Sequence, residues 1–143
     1  MPYRYLEDID IADVAFEAWD AGLEEMFIDA ADALTNVMVA DLATINRIEE
    51  LEVQLEESDP EMLLFDFLNE LLFYKDARRL LLRVGRLAIT LAASEYRLRA
   101  TLYGEQVDPI RHCLLVDVKA VTLYRFRVQQ SSHEWRATAV LDV

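Results

Sequence analysis

Residues 13–19 alternate as Asp13, Val14, Ala15, Phe16, Glu17, Ala18 and Trp19, which puts Val14, Phe16 and Ala18 on one face and predicts a half-buried strand. From Leu23 the period lengthens. Leu23, Met26, Phe27, Ala30, Leu34, Val37 and Met38 recur every three or four positions, with Glu24, Glu25, Asp29 and Asp32 falling elsewhere, the pattern of an amphipathic helix. Glu24 and Glu25 lie in its first turn, where negative charge suits the helix dipole. Residues 47–56 return to alternation through Ile48, Leu51, Val53 and Leu55, and read as a second strand. Ser58, Asp59, Pro60 and Glu61 then signal a helix start, Ser58 and Glu61 capping each other's amides and Pro60 sitting in the first turn. This second helix runs to about Lys75. Its apolar residues from Met62 to Phe73 cover nearly the whole circumference, so it is expected to be the central buried element, packed on a sheet.

The rest reads as β-structure. Leu80 to Val84 and Leu87 to Ala93 are two short runs, a reversal follows at Ser94 and Glu95, and Tyr96 to Tyr103 is the returning strand. Val118 to Val128 and Trp135 to Val143 form a second hairpin through Gln129, Gln130, Ser131 and Ser132. Between the hairpins, GEQVDPIRH at 104–112 is a loop long enough to carry function. Strand, helix, strand, helix and then a run of strands predicts an α+β chain, one domain over 1–143, with antiparallel β-sheet structure and two main helices packed on one side.

Composition narrows the function. With 143 residues, 54% of them hydrophobic, and only three Gly and three Pro, the chain has the core material of one ordinary domain and none of the bias of a disordered segment. The net charge of −13 repels nucleic-acid phosphates and anionic lipid, so no direct nucleic-acid partner and no membrane association are expected. That charge is divided: residues 1–76 hold three basic and 21 acidic side chains, residues 77–143 eleven and six. No signal-peptide pattern opens the sequence and no apolar run spans a bilayer, while the single Cys113 fits a reducing compartment; a cytoplasmic location is expected.

Motifs for an autonomous catalyst are missing. No GxSxG, GxxxxGK[ST], HExxH, EF-hand loop or GxGxxG occurs. His112 and Cys113 are adjacent, and neighbours on a strand point to opposite faces, which suits them poorly for sharing a proton. His112 reads instead as a loop hydrogen-bonding residue and His133 as an exposed turn residue. Asp13 opens the first alternating strand and Asp142 closes the last; if the two meet in space they can hold a hard cation together with backbone carbonyls and water.

Six blocks resemble the archease family in order and spacing: Tyr5, Leu6, Glu7; Ala12, Asp13, Val14; AWDAGLEEMF at 18–27; LLFDFLNELLF at 63–73; YGEQVDPIRH followed by VDVKAVT within 103–122; and Leu141, Asp142, Val143. The VKAVT block with its upstream GE and DPxRH is the most specific. The resemblance implies an accessory protein of an RtcB-type RNA ligase in tRNA splicing or RNA repair. It implies a protein that is not itself an enzyme, promotes ligase guanylylation and multiple turnover, and binds a divalent cation, calcium foremost, with magnesium or manganese as alternatives. Asp13, Asp142 and Val143 are the implied metal residues, and Lys119 and Asp117 the implied partner or activation residues. The chain departs from the family pattern in four places: Asp10 and Ile11 replace His-Thr with Asp8 and Ile9 inserted before them, Asp20 replaces Gly, Leu115 and Val116 replace Gly-Thr, and Asp117 stands where Glu is common. Asp8 and Asp10 could add ligands. Two other readings stay open on the residues alone: an acidic interaction or inhibitor protein that mimics nucleic acid without metal, and a small metal-dependent hydrolase.

Overall fold

The structure, a computed structural model, describes residues 2–7 and 13–143. Among these, strands β1 (Tyr3–Leu6) and β2 (Asp13–Asp20) precede helix α1 (Leu23–Met38), strand β3 (Glu49–Glu57) and helix α2 (Pro60–Arg78). Strands β4 (Leu80–Ala92), β5 (Glu95–Gln106), β6 (Ala120–Gln130) and β7 (Trp135–Asp142) complete the chain. Two antiparallel sheets result, one of four strands in the order β1-β2-β7-β6 and one of three in the order β3-β5-β4. Both helices touch strands of both sheets. The fold is the α+β arrangement expected, with the β-structure divided between two sheets.

The predicted face of α1 holds, with Met26, Phe27, Ala30, Leu34, Val37 and Met38 in the core. Strand β2, expected to bury one face, is enclosed on both: Phe16 and Ala18 are fully buried with Val14 beside them, and on the other face Ala15 is fully buried and Glu17 is buried where Arg4 and Arg136 pair with it. Helix α2 is less enclosed than its composition suggested: Leu63, Leu64, Phe67, Leu68, Leu71 and Leu72 form a buried stripe of adjacent pairs, whereas Phe73 is 58% exposed. Its cap also differs. Asp59 is the N-cap, accepting from the Met62 amide at 2.8 Å, because only then does Pro60 stand at the first helical position, where a missing N–H costs nothing. Glu61, freed from a capping box, accepts from the Val128 amide of β6 at 2.9 Å.

Other β features also differ from expectation. Leu80–Val84 and Leu87–Ala93 are one strand, β4, whose register to β5 shifts between Val84 and Arg86, so Gly85 is a bulge and not a boundary. The reversal is centred on Ala93 and Ser94, with φ of 51° and 66°, the signs a type I′ turn requires, one residue earlier than expected. Strand β1 was not foreseen, since four residues give too short an alternation to detect; its Tyr5 hydroxyl donates to the Ala33 carbonyl of α1 at 2.8 Å.

Candidate metal and partner site

Strands β2 and β7 run antiparallel in a register that makes Asp13 and Asp142 direct partners. The same register, carried to β6, places Ala120 opposite Asp142 on its other side. Direct cross-strand partners have Cα atoms roughly 4.5–5.5 Å apart and side chains on one face, so two carboxylates and one methyl group form a row across three strands. Like charges directly opposite repel. Among the described residues neither aspartate takes part in an ion pair that would offset this.

The donor set suits a hard divalent cation. Carboxylate and carbonyl oxygens are its preferred ligands, and calcium takes roughly six to eight of them. Asp13 and Asp142, with the backbone oxygen of Val143 if it turns to them, would supply only part of that number and would leave the remainder to water. No third His, Cys, Asp or Glu joins them among the described residues. Asp8 and Asp10 lie outside the described residues.

Lys119 and Asp117 separate. The Lys119 amide donates to the Asp142 carbonyl at 2.8 Å, which ties its backbone to the aspartate pair and leaves the residue exposed. Asp117 instead accepts from Lys75 Nζ of α2 at 2.6 Å. Lys75 is 8% exposed, and its ammonium also donates to the Val118 carbonyl at 2.7 Å and pairs with Asp76 at 2.7 Å. Burial alone would lower its pKa, but the hydrogen bonds to Asp117 and Asp76 and their charges outweigh burial and hold it above the ordinary lysine value. Lys75 therefore clamps the peptide immediately before Lys119. Sequence reasoning missed it, although a signal was present: it is a charged residue four positions after Leu71, on the stripe that α2 buries.

The GEQVDPIRH segment, expected as a loop, begins with the last three residues of β5, Gly104 to Gln106, which pair with Leu82 to Leu80 of β4, and it forms an internal clamp. Glu105 and His112 are 7% and 1% exposed. Glu105 accepts from the Asn46 amide at 2.6 Å and pairs with Arg111, whose other arm donates to the Thr44 carbonyl at 2.7 Å. His112 Nδ1 accepts from the Asp108 amide at 2.9 Å, which leaves Nε2 to carry the proton and donate to Glu105 at 3.2 Å. Burial raises the Glu105 pKa, and the Asn46, Arg111 and His112 hydrogen bonds overcome that to hold it below the ordinary carboxylate range. Gly104 is required by a close approach: a β-carbon there would stand 1.8 Å from the Leu81 carbonyl oxygen of β4.

An α+β protein with two antiparallel sheets and a carboxylate pair where two strands align is the class that fold and geometry define. The profile of the Archease protein family (MTH1598/TM1083) matches residues 3–143, and the chain belongs to that family. It is 34% identical over 136 residues to the protein archease of Pyrococcus abyssi, covering 92% of this chain and 93% of that one. Against the protein archease of Methanopyrus kandleri it is 31% identical over 143 residues, the full length of both. The solution structure of Methanobacterium thermoautotrophicum protein 1598 superimposes with a TM-score of 0.85 at 29% identity, over 99% of each chain. A Thermotoga maritima structure described as an archease, possible chaperone, shares the fold at a TM-score of 0.64 and 18% identity, over 96% of this chain and 97% of that one.

Proposed function

We propose that this chain is an accessory factor that binds a divalent cation at Asp13 and Asp142 and stimulates guanylylation and multiple turnover of an RtcB-type RNA ligase. One observation carries the reading: the register that sets Asp13 directly opposite Asp142, with Lys119 bonded to the Asp142 backbone. Two opposed carboxylates without a basic partner are a cost to the sheet that a bound cation offsets. A cation bound there supplies positive charge beside Lys119. The chain's own residues hold it, with Asp13 and Asp142 as the anionic ligands, and Lys75 fixes the Val118 carbonyl just before Lys119. No nucleophile stands beside a base in this arrangement, so the covalent chemistry is assigned to the ligase.

The test is a guanylylation assay of the cognate ligase with and without this chain, at substoichiometric ratios and across calcium, magnesium and manganese concentrations. Asp13→Asn and Asp142→Asn are expected to abolish stimulation. In chelator neither should melt earlier than the parent, because each removes a like-charge repulsion worth up to about 1 kcal/mol. Full stimulation by either variant sinks the cation role, and no effect of the parent at any ratio sinks the ligase role.

A further inference from the structure

Strand β6 departs from its ladder in mid-course. Thr122 pairs with Val140 and Arg127 with Thr138, so Leu123, Tyr124, Arg125 and Phe126 stand opposite Ala139 alone. Phe126 turns inward, 7% exposed, with its ring edge-on to Phe65 of α2 at 5.4 Å. Before the bulge, Thr122 Oγ1 donates to the Val140 carbonyl at 3.0 Å; after it, the Val128 amide is held by Glu61. The bulge is therefore anchored on both flanks and from beneath. It lifts out Leu123, 62% exposed, Tyr124, 57% exposed, and Arg125, whose guanidinium lies 5.2 Å from the Tyr124 ring centre. Arg125 holds φ at 55°, a left-handed conformation that its β-carbon disfavours.

A bulge on an edge strand protects it from pairing with another chain, and β6 is an edge strand. Protection of that kind needs one extra residue and a charge. It does not need three extra residues, a strained arginine and two large apolar side chains in water. We infer that Leu123, Tyr124 and Arg125 form a docking knuckle for the RNA ligase, an assignment of partner that rests on the function proposed above. Two features of the chain point to that occupant. The knuckle lies on the strand that begins beside Lys119 and opposite Asp142, on the order of 10–16 Å along it, so one protein surface can cover both. It also carries Arg125, with exposed Arg127 just beyond it, on a chain of net charge −13, so the receiving patch is an apolar cleft rimmed by carboxylates. Tyrosine and arginine are residue types that dominate binding energy at protein interfaces, whereas the overall charge opposes a polyanion.

The experiment measures binding of the full chain to immobilised cognate ligase by biolayer interferometry, alongside melting temperature, calcium titration and guanylylation. The variants are Leu123→Ser/Tyr124→Ser/Arg125→Gly together, and Arg125→Gly alone, which relieves the left-handed backbone and so leaves folding intact. The triple variant is expected to bind at least about tenfold more weakly with its melting temperature no lower than the parent's and its calcium titration unchanged, and Arg125→Gly to show a smaller loss. Should the triple variant melt early, Arg125→Gly decides: parental ligase affinity overturns the knuckle. Binding by the parent and by the triple variant alike also overturns it while leaving the proposed function standing. A parent that neither binds nor stimulates the ligase overturns both. A self-association of the parent, or an RNA affinity, that the triple variant alone abolishes would make the occupant a second copy or a nucleic acid and overturn the assignment.

Discussion

Asp29 has one carboxylate oxygen buried without a hydrogen-bond partner. Burial, then the hydrogen bond and negative charge of Asp20, then the charges of Asp32 and Glu25 push its pKa up to about 8. The sign of the linkage follows. A carboxyl whose folded pKa is raised binds more protons in the native state than in the unfolded one, so its contribution is complete below pH 4 and is lost as pH rises towards 8. Asp29→Asn should therefore flatten the pH dependence: between pH 5 and pH 9 the parent's melting temperature is expected to fall more than the variant's, by scanning calorimetry at fixed ionic strength. Equal slopes would remove Asp29 as the cause. Glu105 has the opposite sense, since its depressed pKa stabilises the fold above pH 4.5 and that stability is lost on acidification. Little of this was legible in the sequence, where Asp29 reads as one more polar residue of an amphipathic helix. Its environment is set by Asp20 from the end of β2, a neighbour that exists only once β2 and α1 fold together.

Individual elements were more legible than their ends. The three-to-four periodicity of α1 is a direct consequence of burying one face, and β2 also appears where its alternation places a strand, although Ala15 and Glu17 on its other face are buried as well. Ends depend on competing local bonds, and there Asp59 displaced Ser58 as the cap of α2. The β4–β5 hairpin makes the same point. Neither Ala93 nor Ser94 favours positive φ, so the sequence shows a break between two strands but not the turn's exact place, which comes from the ladder that sets Leu98 opposite Ile89 and Ala100 opposite Leu87. Each non-glycine residue in the left-handed region costs roughly 1–2 kcal/mol, and a type I′ turn prefers Asn-Gly. Ala93→Asn/Ser94→Gly should raise unfolding free energy by about 1 kcal/mol in urea titration with an unchanged slope. A loss of stability would mean that the turn is not of this type.

At the scale of the whole molecule the charge asymmetry along the chain is largely mixed in space. Acidic β3 lies beside β5, with Arg97 3.4 Å from Glu56, and Arg78 reaches Glu49 at 2.8 Å. Arg4 and Arg136 both pair with Glu17 and flank Trp19. The field of the net charge of −13 acts at long range beyond these pairs. On the proposed function, encounter with the ligase is steered by that field. Stimulation should then weaken as salt rises and the Debye length falls from about 10 Å at 0.1 M to about 3 Å at 1 M. Guanylylation rates across a salt series, corrected for the ligase alone, check this, and a flat response would exclude steering. Among the described residues, no helix is long and apolar enough to cross a membrane.

By itself the sequence determined the fold class, the two helices, the buried face of α1 and family membership, because these rest on periodicity and on residue order, both local properties of the chain; which side of the apolar α2 stays exposed was left to packing. The tertiary structure alone decided which residues meet. The strands were readable one by one, but their division between two sheets depends on how both helices pack against them. Asp13 and Asp142 are 129 positions apart, and only the β2–β7 register makes them partners. Lys75 and Asp117 are 42 positions apart, and only the packing of α2 brings the Lys75 ammonium to the Asp117 carboxylate. The GEQVDPIRH loop looked like a place for function and folded into a clamp, because Glu105 and His112 satisfy each other once Arg111 and the Asn46 amide close around them. A pattern along the chain records what must be buried; pairings across it are chosen by registers and packing angles that no single stretch encodes.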